Sequence, residues 1–400
     1  VNGTTCGIYS MILAVTEPGD HIIIPRNCHK SVMSAIILGK LKPIYIIPEI
    51  DDVFNVSCAI TPIQVEEALK KNPQAKAVII TNPTYYGTCS DIKSIGDIVH
   101  RYGKLFLVDE AHGAHFSFHK KLPVSALEAG ADIIAQSTHK TLASLTGSSM
   151  LHVKSNKVDI DKLRFFLQLM QTTSPSHIML ASLDIARYIM ESSGHELLDD
   201  IISMCNIARL NINKIDGLYC MNEARIGFAG IHEIDPTRLV INFNNLGVSG
   251  TEADKWLREK HNIQVELSDS QNIVAVSTIG DEREYFERLV EALKDLENFY
   301  GILNKSLKEE QALPRFNHIP EMMLLPHEAI YKSTEAIKLK AAIGRICGEM
   351  ITPYPPGIPI IMPGEIINEE ILKIINTCSV NHIKINGISD HTMKTIKVIC

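Results

Sequence analysis

Long apolar runs are missing from this chain of 400 residues. Stretches such as Ile8–Val15 and Ile358–Met362 fall far short of the ~18 apolar residues that a membrane-spanning helix needs, so no membrane association is expected. An excess of basic charge is missing too. With 39 Lys and Arg against 46 Asp and Glu, the net charge is −7, and a mildly acidic chain lacks the electrostatic footprint of a nucleic-acid binder. The nine cysteines include no CxxC pair, the nearest two being Cys205 and Cys220. The odd count, with no secretory leader read at residue 1, makes reduced thiols in a cytoplasmic protein the expectation. Asn55-Val56-Ser57 matches a glycosylation sequon and in that setting is read as chance. Internal repeats and low-complexity linkers are missing as well. The chain opens on Val1 rather than Met, and its natural amino terminus is expected to lie upstream. What is abundant is apolar side chain, 45% of residues against 21% charged, ample for a full core and contrary to disorder.

Through the first half, short β-branched runs alternate with amphipathic stretches. His21–Pro25, Pro43–Ile47, Lys76–Thr81, Lys104–Asp109, Ala131–Ser137 and Ser148–Val153 read as strands. Thr5–Val15, the run opening at Thr61-Pro62, and Ser90–Tyr102 read as helices. Glu17-Pro18-Gly19-Asp20 breaks the first of these, and Thr61 with Pro62 supplies an N-cap and a proline at the first helical position. Near-continuous apolar strands separated by helices imply βαβ units. The fold class is therefore α/β, three layers (α/β/α) around a mostly parallel sheet. Beyond residue 158 the pattern is helical through Arg187 and on to Ile215. A smaller α+β domain follows, with strands Arg238–Phe243 and Asn272–Ser277 and a charged helix Glu282–Leu296. From 305 onward, helical stretches His327–Ile346 and Asn368–Ile375 flank a proline-rich loop in a C-terminal α+β subdomain. Domains are expected at 1–192, 193–304 and 305–400.

In open parallel sheets, ligands bind beyond the carboxyl ends of the strands. The polar residues there are His29 after the first strand, Asn82–Gly87, Asp109-Glu110-Ala111-His112, and Ser137-Thr138-His139-Lys140. A helix opening at Gly3-Thr4-Thr5 would add free N–H groups, two hydroxyls and a positive dipole end, which suits a phosphate. Lys140, at the rim after an apolar strand, would have a depressed pKa and could form a Schiff base with a carbonyl compound; a solvated loop lysine is the plain alternative. Asp109 closes a buried strand with one carboxylate, as a pyridine nitrogen needs, or as a helix cap or metal ligand would. Asp109–His112 also resembles the DEAD/DEAH sequence of helicases, but no GxxxxGK[ST] phosphate loop accompanies it. His29 could stack on a cofactor ring, or be an ordinary surface histidine. His112, His115 and His119 lack the carboxylate or Cys partners of a zinc site, so no metal is expected, and His112 and His115 are read as groups near the substrate or behind it.

Taken together, Asn2–Thr5, Asn82–Gly87, Asp109–Gly113 and Ser137–Lys140 resemble the pyridoxal-phosphate-dependent Orn/Lys/Arg decarboxylases. So do Gln171–Ser176 with Leu180–Asp184, and Tyr354–Pro359 through Pro363-Gly364-Glu365. The resemblance covers nearly the whole chain, and its six segments occur in the family's order. It implies the aspartate-aminotransferase-like fold, type I, with pyridoxal 5'-phosphate as cofactor. Lys140 would carry the Schiff base, Asp109 would pair with the pyridine nitrogen, and His29 and Ala111 would flank the ring. Thr4, Thr5, Ser137 and His139 would hold the phosphate. Thr173 and Ser174 would reach the neighbouring subunit's cofactor, implying a homodimer or higher homo-oligomer. Glu365 would face the distal cation of a basic amino acid. Family members normally carry a further segment before Asn2-Gly3-Thr4-Thr5, which is absent here.

The expected activity is decarboxylation of arginine, lysine or ornithine to an amine of the polyamine pathway, with Lys140 or His139 returning the proton. Two other readings stand beside it: another fold-type I enzyme such as an aminotransferase or aldolase, and a truncated, non-catalytic subunit.

Overall fold

A computed structural model of the chain describes residues 1–301, 318–354, 357–380 and 383–400. Helix α1 (Thr4–Val15) starts behind Gly3, whose φ of 82° is open to a residue without a Cβ, and no side chain caps its first turn. Then come β1 (His21–Pro25), α2 (Lys30–Leu38), β2 (Lys42–Ile46), α3 (Pro62–Lys71) and β3 (Ala77–Thr81). Thr61 and Gln64 form a capping box on α3 with Pro62 in its first turn. Next are the short β4 (Thr88–Cys89), α4 (Ile92–Arg101), β5 (Leu105–Asp109), β6 (Ile133–Gln136), the single turn α5 (Thr138–Thr141) and β7 (Met150–Val153).

Six of these strands form one sheet in the order β2-β1-β3-β5-β6-β7. All neighbours run parallel except β7, which is antiparallel to β6. Alternation along β1 shows how the layers form. Ile22 and Ile24 join the core under α1 and α2, while Ile23 turns to the opposite core with Val65 of α3 and Ile95 of α4. The chain thus adopts the three-layer α/β architecture expected, with strand ends within a residue or two of the sequence reading.

Helix α6 (Ile160–Met170) and the 36-residue α7 (His177–Ile212) replace the one helical stretch read from 158 onward. Gln171 ends the first in extended geometry, and the Ser176 side chain caps the second by accepting from Met179 N. The second half of α7 belongs to a separate core with Leu239, Phe243, Leu257 and Leu293, so the expected boundary at 192/193 falls inside a continuous helix. That core is built on β8 (Tyr219–Cys220), β9 (Glu233–Ile234), β10 (Arg238–Asn242), α8 (Gly250–His261), β11 (Leu267–Ser268), β12 (Asn272–Val276) and α9 (Arg283–Gly301). Strands β11, β12, β10 and β8 make an antiparallel sheet, and β9 pairs with β4 of the first region.

The last region contains α10 (Pro326–Ala329), β13 (Thr334–Lys338), β14 (Thr352–Tyr354), α11 (Glu369–Val380), β15 (Lys384–Asn386) and β16 (Thr395–Ile399). The helix expected over His327–Ile346 is not formed. Only three of its residues, His327–Ala329, are α-helical, and β13 pairs antiparallel with β16 along all five positions. The partner explains this: Ile396 and Val398 of β16 are core residues, and pairing with them overrides a helix-like pattern of charges. The expected domain boundary at 304/305, and Pro355 and Pro356 of the proline-rich loop, lie outside the described residues.

Candidate active site

The sheet order reverses direction between β1 and β3, and a cavity of about 520 Å³ opens beyond the carboxyl ends of the strands there. His29, Thr81, Asp109 and Ser137, each at or just past a strand end, line it together with Thr4, Thr5, Ala111, His112, His139 and Lys140. The second region contributes Glu266, and the last region Thr352, Tyr354 and Asn386.

At one end of this cavity, hydroxyls gather around the uncapped start of α1. Thr4 Oγ1 lies 2.5 Å from Ser137 Oγ and 2.8 Å from Ser149 Oγ, which fixes the first turn against the loop after β6. Thr5 points outward on the same turn and is exposed. His139 Nδ1 is 2.7 Å from the Ser148 carbonyl oxygen, so that nitrogen carries the proton and donates.

Asp109 is buried at the end of β5, and its Oδ1 accepts from Ala111 N at 3.2 Å. Burial pushes its carboxyl up to about 6, against the pull of Lys140. Lys140 Nζ lies 3.0 Å from His112 Nε2, and burial lowers the pKa of the amine. His112 in turn packs beneath Tyr85, ring centroids 4.7 Å apart. Burial, with Lys140 and then Arg238 beside it, holds this imidazole well below the usual histidine range. His29 caps α2 by accepting from Ser31 N, and burial with Lys140 brings it down to about 4, a neutral ring facing the cavity.

Eight expected residues therefore share one cavity: Thr4, Thr5, His29, Asp109, Ala111, Ser137, His139 and Lys140. Three do not. Thr173 and Ser174 lie exposed between α6 and α7, away from the cavity lining. Glu365 is fully buried, accepting from Arg26 Nη2 at 2.8 Å and from Met362 N at 2.8 Å. The expectation that Glu365 faces the substrate is corrected: its charge is committed to Arg26. A different carboxylate, Glu266, lines the cavity, its Oε1 accepting from Tyr85 OH at 2.6 Å. Sequence reading passed over it, because it precedes a strand of only two residues, Leu267–Ser268, where Asp109 closes a five-residue apolar one. Among the described residues no group of three or more His, Cys, Asp or Glu is arranged to hold a metal ion.

Residues 1–285 match the sequence profile described as "Orn/Lys/Arg decarboxylase, major domain", and residues 309–387 that of the same family's C-terminal domain. Arginine decarboxylase of Bacillus subtilis is 42% identical over 399 residues, covering 100% of this chain and 81% of that protein. Among solved structures, lysine decarboxylase A from Pseudomonas aeruginosa superposes with a TM-score of 0.87 at 21% identity, over 100% of this chain and 69% of that one. The lysine decarboxylase of Francisella novicida gives 0.86 at 24% identity, over 100% and 69%. At these identities the structural likeness speaks for the fold alone.

Proposed function

Since the chain belongs to the Orn/Lys/Arg decarboxylases, a family of pyridoxal-phosphate-dependent carboxy-lyases, we propose that it binds pyridoxal 5'-phosphate in this cavity and decarboxylates arginine, lysine or ornithine. The observation that carries the reading is one rim bearing an amine of lowered pKa, Lys140, and a buried carboxyl, Asp109, beside an uncapped helix start. The donor set fits the cofactor. Free N–H groups of α1 with Thr5, Ser137 and His139 suit a phosphate, Asp109 suits a pyridine N–H, and neutral His29 and Ala111, both on the lining, suit the two faces of a flat ring.

When bound, pyridoxal phosphate supplies an aldehyde that captures amines and a protonated ring that accepts the electron pair left by departing carbon dioxide. The chain supplies the rest. Lys140 Nζ is the amine for covalent attachment, and Asp109 keeps the ring nitrogen protonated. The cavity walls would orient the substrate and keep its α-carboxylate away from cations. Lys140 is the group that returns a proton to the α-carbon, because the Nδ1 proton of His139 is committed to Ser148. Glu266, half satisfied by Tyr85, is the acceptor for the distal cation of the substrate, the role first read for Glu365.

Three units, 1–192, 193–304 and 305–400, and a cytoplasmic, polyamine-pathway setting complete the reading. A homodimer or higher homo-oligomer is supported by the exposed apolar residues Phe165, Leu169, Ile178, Leu180 and Tyr188 on α6 and α7, which flank Thr173 and Ser174. The test is carbon dioxide release from arginine, lysine and ornithine with added cofactor. Release from at least one, abolished in Lys140→Ala together with the visible absorbance of bound cofactor, is expected. Silence with all three substrates on a cofactor-loaded protein refutes the proposal.

A further inference from the structure

Behind Lys140 runs a chain of buried polar groups that the reaction as described does not use. Arg238, at the start of β10, has a side chain only 1% exposed. Its Nη2 lies 3.0 Å from His112 Nδ1 and 3.5 Å from the His112 carbonyl oxygen. On its far side Nε stands 3.6 Å from Asp235 Oδ2. Asp235 is held by Thr237, whose N and Oγ1 donate to Oδ1 at 2.9 and 2.6 Å, and by His115 Nε2 at 3.2 Å from Oδ2. Gly87, at φ 81°, leaves room for this side chain, since a Cβ there would come within 2.6 Å of Arg238 Cγ.

Only one direction of donation satisfies this row. A guanidinium has donors and no acceptor, so His112 Nδ1 must accept. A neutral imidazole accepting at one nitrogen carries its proton on the other, so Nε2 donates toward Lys140 Nζ. An ammonium has nothing with which to accept; an uncharged amine has a lone pair. We propose that Arg238 is a positioning residue that locks His112 in its Nε2–H form and thereby, in the cofactor-free chain, holds Lys140 as the uncharged, nucleophilic amine that attachment requires.

The other charged or titratable groups around Lys140 are Asp109 from β5, Glu266 beside β11 and His29 at the start of α2. The two carboxylates favour the ammonium form, and Arg238 is the cation that opposes them. The inference rests on Lys140 being the attachment residue, and its test does not read catalysis.

The full chain, freed of cofactor, is acylated with acetic anhydride at a series of pH values, and the modification rate of Lys140 is read by peptide mass spectrometry. Exposed Lys71 serves as the internal reference. The Lys140 midpoint should lie below that of Lys71. In Arg238→Gln it should rise by at least one unit, a tenfold loss of Lys140 reactivity at pH values below both midpoints, with Lys71 unchanged. Should Arg238→Gln fail to fold because Asp235 loses its cation, His112→Phe keeps a flat aromatic ring, removes both nitrogens and should also raise the midpoint. A folded variant of either kind with the original midpoint overturns the proposal, as would 15N shifts of His112 showing the proton on Nδ1. Absent decarboxylation alongside the expected midpoints would refute the substrate reading and leave the role of Arg238 standing.

Discussion

Two adjacent carboxyls, Asp109 and Glu110, show how neighbours in sequence take separate tasks. Asp109 opens into the cavity, so Asp109→Asn should leave cofactor absorbance in place while slowing turnover on the order of 10²–10³-fold, the usual loss when a stabilising charge is removed from a reaction centre. Near-normal turnover in that variant would remove Asp109 from the mechanism. Glu110 points the other way, accepting from Ala126 N and Gln136 Nε2, both at 2.6 Å. Burial raises its carboxyl from 4.5 to about 8. A raised carboxyl stabilises the fold below its ordinary value and loses that contribution as pH climbs toward the folded value. Stability should therefore fall between pH 5 and pH 8, and less so in Glu110→Gln, whose amide can pair with a flipped Gln136. Denaturant midpoints at the two pH values decide it; identical slopes would mean that Glu110 is ionised throughout.

At the scale of elements, much of the first region could be read from local pattern. Strands β1 and β3 are apolar runs followed by His29 and Asn82, and β5 ends on Asp109, so the rim of the site followed once a parallel sheet was inferred. Helix α3 declared itself through Thr61-Pro62. What could not be read depended on partners distant in sequence. Strand β13 exists because β16 covers it, and Glu365 is silent because Arg26, more than 300 positions earlier, claims it. Glu266 reaches the cavity only through the packing of the second region on the first. Helices α6 and α7 carry exposed apolar side chains, Ile178 at 74% and Tyr188 at 63%, the kind of surface that marks an interaction site. Ile178→Asp with Leu180→Asp should convert the expected dimer to monomer in sedimentation; an unchanged mass would locate the interface elsewhere.

For the whole molecule, the Arg26–Glu365 pair ties the end of β1 to the last region inside a nearly water-free seam. Removing one partner of such a pair leaves an uncompensated buried charge at a cost of about 3–5 kcal/mol. Glu365→Gln should thus lower the melting temperature by several degrees without changing preference among arginine, lysine and ornithine; a change of preference at constant stability would restore the first reading of that residue. The cavity itself is assembled from Gly3 to Asn386, nearly the full span of the chain. No fragment short of the finished fold brings those walls together, so whatever binds there binds the native state alone and shifts the folding equilibrium by mass action. Vitamin B6 supply would then govern abundance as well as turnover: a starved cell would hold a chain that opens more often and meets its proteases sooner.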